Sequence, residues 1–167
     1  SPGNLPEIYS KENITKENEI IILNGEWKIS SMTPNCLTLD FCQYKIENSG
    51  YSRILPVLQV QEELKNQIGK KLKLKYEFEL EIQHKLLNDL FLIAEYRDDV
   101  IIKLNGNQIP FNKNDWWLDI SFKKSKINDF LRDGVNLIEY ETIIKSDTEV
   151  ESLYIIGDFT LKSYTDR

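Results

Sequence analysis

The chain has 167 residues, 41% of them hydrophobic and 29% charged. That excludes a disordered tail, and no apolar run approaches the ~20 residues of a membrane helix. Lysine and arginine total 21 against 27 acids, a net charge of −6, and with no basic cluster along the sequence, nucleic acid is not expected as a main partner.

Ala94 is the only alanine, while isoleucine and leucine carry the apolar content, which suits pleated sheets better than helices. The length fits one domain around one core. Residues 1–16 are polar and broken by Pro2, Gly3 and Pro6. No charged stub with an apolar stretch opens the chain, so no signal peptide is expected. We read 1–18 as a linker or expression remnant and 19–167 as a single domain.

Ile20, Ile21, Ile22 and Leu23 form a short apolar run, and Asn24-Gly25 follows. That dipeptide predicts a tight hairpin, because both positions of a type I′ turn need positive φ. The return strand, 26–31, alternates Trp27 and Ile29 with Lys28 and Ser30. After Pro34-Asn35 the pattern predicts one strand over 36–46, carrying Cys36 and Cys42. At ~3.3 Å per residue their Cα atoms would lie about 20 Å apart, far beyond the ~4.4–6.8 Å of a disulfide. Their even spacing puts both on one face, as small buried residues. Val60, Leu64 and Ile68 predict a helix over 60–70.

The clearest element is 71–82. Leu72, Leu74, Tyr76, Phe78, Leu80 and Ile82 alternate with Lys71, Lys73, Lys75, Glu77, Glu79 and Glu81. This describes an antiparallel strand with one buried and one solvated face. Residues 90–95 read as a more fully buried strand, 97–99 as a turn, and 100–104 as a strand entering a second Asn-Gly hairpin at Asn105-Gly106. Pro110 ends the return strand early, which suits a sheet edge. A polar loop over 112–115 leads into Trp116-Trp117. Residues 127–131 predict one helical turn closed by Gly134. Strands follow at 135–144 and 149–156, and the chain continues past a bend at Gly157. Nine or ten strands with little helix predict a sandwich or barrel.

Catalytic signals are sparse. The sole histidine, His84, sits between Gln83 and Lys85 in what reads as an exposed loop tip, yet any Ser-His-Asp or Cys-His site would need it. One histidine without a Cys-x-x-Cys pair gives no zinc site, and the scattered glycines make no phosphate loop. The 27 acids leave a glycosidase pair open without singling one out. Structural calcium at Asp98-Asp99 or at Asp115 and Asp119 has no EF-hand-like spacing behind it. No cofactor is expected.

The chemically suggestive stretch is Asn114, Asp115, Trp116, Trp117 and Asp119. Adjacent residues of a strand face opposite ways, so one tryptophan should be at least partly exposed. An aromatic face flanked by carboxylates and an amide can hold a sugar: the ring packs on its C–H surface while Asp115, Asp119 or Asn114 bonds its hydroxyls. The alternative is that both rings plug the sandwich or a contact with another domain.

The stretch VIIKLNG at 100–106, the aromatic loop, and INDFLRDGVNLI at 127–138 together resemble the sugar-binding domain of family 2 glycoside hydrolases. More narrowly, LTLDFCQY at 37–44, WWLD at 116–119 and LYIIGDF at 153–159 resemble the accessory β-sandwich at the C-terminal end of large bacterial glycosidases. The resemblance covers about 24–161. It implies a jelly-roll, galactose-binding-like β-sandwich without catalytic carboxylates of its own, attached to a catalytic domain. The partners it implies are carbohydrate, the catalytic domain of the same polypeptide, or both. A purely structural interaction module and a small free-standing hydrolase are the alternatives.

Overall fold

A computed structural model describes residues 32–82 and 88–162. The hairpin expected at Asn24-Gly25, the strand bearing Trp27 and Ile29, and His84 lie outside the described residues. Within them the chain is an all-β sandwich of two antiparallel sheets with little helix. Eleven strands are β1 (Asn35–Leu39), β2 (Phe41–Ile46), β3 (Leu55–Pro56), β4 (Lys71–Leu80), β5 (Phe91–Glu95), β6 (Ile101–Leu104), β7 (Asn107–Gln108), β8 (Trp116–Trp117), β9 (Asp119–Lys126), β10 (Gly134–Ile143) and β11 (Leu153–Gly157). One short helix, α1, spans Val57–Glu63, and a 3-10 turn spans Asn128–Phe130. No helix among the described residues is long and apolar enough to cross a membrane.

Every strand pairing among the described residues is antiparallel. One sheet has the order β1-β11-β5-β9-β8 and the other β3-β2-β4-β10-β6-β7. The longest ladder joins β4 to β10 over ten residues, from Gly134 opposite Leu80 to Ile143 opposite Lys71. Alternation in β4 works as expected: Leu72, Leu74 and Tyr76 are buried. They pack in one core with Leu92, Ala94, Leu153 and Ile155 of the facing sheet. The Tyr76 hydroxyl reaches the Glu151 carbonyl at 3.1 Å, so its burial leaves no polar atom stranded. Ile93 and Ile156 are buried as well, so β5 and β11 lack the polar alternation of β4.

Two local expectations are corrected. Residues 36–46 form two strands in different sheets, not one, because inward parity changes at Asp40. Leu37 and Leu39 face the core from β1, whereas Cys42, Tyr44 and Ile46 do so from β2. Cys36 is therefore exposed while Cys42 is buried, and both are free thiols. Burial pushes the Cys42 thiol up to about 11. The helix is also shorter and earlier than 60–70. It starts directly after Pro56, its Val60 and the C-cap Leu64 enter the core, and Ile68 is left exposed beyond it.

The punctuation of the second half holds. Asn105 and Gly106 have φ of 51° and 86°, the pair a type I′ turn requires. β7, which Pro110 follows, is the sheet edge, and the helical turn after Ile127 is present. Beyond Gly157, residues 158–162 are not a strand.

Candidate functional site

The aromatic stretch forms a hairpin at the edge of the five-stranded sheet. Its approach is fixed before the rings are reached. Phe111 stacks on Tyr96 at 4.8 Å between centroids, and the Ser125 hydroxyl donates to the Pro110 carbonyl at 2.6 Å. A turn closes when Asp115 N–H donates to the Asn112 carbonyl at 3.1 Å, and Asn114 N–H donates to Asn112 Oδ1 at 3.0 Å. Asp115 then meets Lys124 of β9 twice. Its carbonyl accepts from Lys124 N–H at 3.0 Å, and its carboxylate pairs with the ammonium at 3.2 Å.

Strand β8 is only Trp116 and Trp117, on opposite faces of an edge. Trp116 lies opposite Lys123 and is 49% exposed. Trp117 is half-buried, and neither ring belongs to the inter-sheet core among the described residues. The ladder is irregular here: Trp117 pairs with Asp119, leaving Leu118 alone at the tip with φ of 64°. Leu118 is 77% exposed and Ile120 70%. Asp119 is engaged locally, its Oδ1 accepting Ser121 N–H at 2.8 Å and the Ser121 hydroxyl at 2.7 Å. The backbone bond, then the hydroxyl bond, hold its carboxyl below the usual range. Asn114 is exposed in the preceding loop. The hairpin thus brings Asn114, Asp115, Trp116, Trp117 and Asp119 together within one turn. It offers one half-exposed indole, an exposed amide, and two carboxylates already engaged by Lys124 and Ser121.

The acidic pairs considered for calcium are tied up by cations or local donors. Asp98 pairs with Lys113 at 2.7 Å. Asp99 meets Arg97 at 3.2 Å and Lys145 at 2.5 Å, and the Arg97 bond foremost holds its carboxyl well below the usual carboxylate range. A different acidic group gathers instead. Carboxylate oxygens of Glu95, Glu149 and Glu151 lie within 4.8 Å of one another. Burial first, and then the charges of Glu95 and Glu149, raise the Glu151 carboxyl. Beside them Arg97, Tyr140 and Thr142 line a cleft of about 40 Å³, too small for a sugar ring. Only the i, i+2 spacing of Glu149 and Glu151 hinted at this trio, since Glu95 joins them from β5 while they lie before β11, which starts at Leu153 rather than at 149.

No protein-family model matches the chain, and no curated protein matches it in sequence. Solved structures do match its fold. They include an FMN-binding beta-glucuronidase from Facaelibacterium prausnitzii L2-6, with a TM-score of 0.54, 12% identity, and 76% of this chain laid on 23% of that one. A beta-D-glucuronidase of Dictyoglomus thermophilum gives 0.54 and 14%, with 79% of this chain on 29% of that one. A beta-glucuronidase of an uncultured Clostridium sp. gives 0.52 and 12%, with 81% on 31%. The chain thus spans less than a third of the length of each of these glycoside hydrolases.

Proposed function

We propose that the chain is a non-catalytic accessory module of a larger glycoside hydrolase, of the jelly-roll, galactose-binding-like type, and that its aromatic hairpin is the surface that meets carbohydrate. Residues 19–167 are the module in this reading, and 1–18 a linker. The likeness of the sandwich to a fraction of much longer hydrolases supports the context. The observation that carries the contact surface is the half-exposed Trp116 on a hairpin braced from both sides. Its ring is the platform, Trp117 steadies the edge behind it, and Asn114, Asp115 and Asp119 bond the hydroxyls of a neutral sugar. A single stacking contact with two or three hydrogen bonds gives weak affinity, roughly millimolar to tens of micromolar.

Leu118 and Ile120 favour a second reading, in which the same hairpin docks on the catalytic domain, because exposed aliphatic side chains beside an aromatic mark protein contacts. Affinity electrophoresis through gels containing neutral polysaccharides separates the two. Retardation that disappears in Trp116→Ala supports sugar contact, whereas retardation of neither protein supports docking. Aryl glycosides left unhydrolysed by the isolated chain fit the accessory role. Turnover abolished by a single carboxylate substitution would make it a small hydrolase instead.

A further inference from the structure

The outward face of the six-stranded sheet carries a surface chemically unlike the hairpin. Opposite the core-facing Leu72, Leu74 and Tyr76, the odd residues of β4 point outward, and the register aligns them with their neighbours. Lys45, Lys73, Glu141 and Ile101 form one row, and Gln43, Lys75, Glu139 and Lys103 the next. Together with Lys71, five lysines meet Glu139 and Glu141 there, and Glu77 follows farther along β4, 2.7 Å from Lys75, in a chain whose net charge is −6. Three of the lysines crowd one carboxylate: Glu141 lies 2.9 Å from Lys71, 2.7 Å from Lys73 and 3.8 Å from Lys103. One carboxylate cannot balance three ammonium groups, so positive charge is left over.

Lys45 adds to it. It stands directly opposite Lys73 in the β2–β4 ladder, a like-charge pairing that costs stability. Its ammonium lies 5.1 Å over the ring of Tyr51, a side chain 39% exposed. The ring is held there by its neighbour: Ser52 N–H donates to the Tyr44 carbonyl at 2.8 Å, and the Ser52 hydroxyl accepts Tyr44 N–H at 3.0 Å. Lys73 is already bonded to Glu141, so Lys45, set over the aromatic ring, is the cation that an anion at this spot would meet first, with Lys73 beside it.

We propose that this face binds an acidic sugar, a hexuronate unit whose carboxylate bridges Lys45 and Lys73 while its ring rests on Tyr51. The ring distinguishes a uronate from a simple anion, because it offers a flat apolar surface within reach of the cations. An acidic peptide adding as a strand would need an open edge beside Lys45, and there β3 and Ser52 already pair along β2. This surface is on the other sheet from the hairpin and does not depend on the reading given to it.

Calorimetric titration of the whole chain tests this with tetragalacturonate, tetramannuronate, cellotetraose and tetraglutamate, at low salt and again near physiological ionic strength. At least one uronate binds, cellotetraose binds less tightly to this face, and raising the salt weakens the uronate. Lys45→Gln and Tyr51→Ala each weaken uronate binding roughly fivefold to tenfold, whereas Trp116→Ala leaves it unchanged. Lys45→Gln removes a repulsion, so its thermal melt shows a folded protein and its binding result is interpretable. Failure of both uronates to bind overturns the proposal. So does equal affinity for tetraglutamate, which would point to an acidic protein segment, and so does binding indifferent to Lys45 and Tyr51.

Discussion

Leu118 sits at φ of 64° with its side chain in solvent, so the hairpin tip holds a bulky residue where glycine would rest without strain. Little packing is lost on removing it. Leu118→Gly should therefore leave the melting temperature unchanged or raise it slightly, by the equivalent of about 0.5 kcal/mol, and a fall of several degrees would mean that the leucine packs. Gly157 is the opposite case. A Cβ there would lie 2.4 Å from Leu90 Cδ2 and 2.9 Å from the Asp89 carbonyl oxygen, and the backbone oxygen cannot swing away as a side chain can. Gly157→Ala should cost about 1–3 kcal/mol by urea unfolding. Trp116→Ala should cost less than about 1 kcal/mol, as befits a half-exposed edge residue. The sequence showed that one of two adjacent tryptophans must face outward, but choosing between them needed the edge register, where Trp117 rather than Trp116 turns toward the protein.

Between elements, a pair of asparagines ties the Asn105-Gly106 hairpin to the start of β10. Asn105 Nδ2 donates to Asn136 Oδ1 at 2.8 Å and to the Phe130 carbonyl at 2.9 Å, while its Oδ1 accepts Leu137 N–H at 3.0 Å. Asn136, fully buried, also accepts Arg132 N–H and donates to the Arg132 and Gly134 carbonyls. The Asn-Gly and Gly-x-Asn stretches that carried the family resemblance are thus a structural staple, distant from the aromatic rings in role. Asn136→Ala strands several buried partners and should cost roughly 2–4 kcal/mol in equilibrium unfolding. A loss under ~1 kcal/mol would show that the neighbours relax to water. These motifs were legible because turn chemistry is local. The sheet switch at Asp40 was not, since Cys36 and Phe41, both exposed, disguised a parity change as a continuous apolar strand.

At the scale of the whole molecule, charge is distributed by register rather than by sequence. The lysines of β4 read as a solvated run, but Lys73 is only 27% exposed at its side chain and caps Glu141, which stands on a strand 68 residues further along. Burial pushes the Glu141 carboxyl up, yet the hydrogen bonds of Lys73 and Lys71 outweigh it and hold the group at about 2, against an ordinary 4.5. A folded value below the unfolded one means that the stabilisation is complete above about pH 4.5 and fades as pH falls toward 2, on the order of 2–3 kcal/mol in all. The stability gap between wild type and Glu141→Gln should therefore narrow across that window. A gap independent of pH would show that the lysines do not depress this carboxyl. The sandwich itself was readable from alternation and turns, because both are set within a few residues. Neither the Glu95, Glu149 and Glu151 trio nor the Lys45–Lys73 pairing was, because each depends on which strands become neighbours.

In the proposed reading the exposed Trp116 ring holds a neutral sugar. Proton–nitrogen correlation spectra of the labelled chain test it most directly, recorded while neutral mono- and oligosaccharides are titrated to about 50 mM, well above the expected weak affinity. Saturable shifts of the Trp116 indole N–H and of the Asn114 and Asp119 backbone amides are expected for at least one sugar, all absent in Trp116→Ala. Spectra unchanged around the hairpin at the highest concentration of every sugar would contradict it.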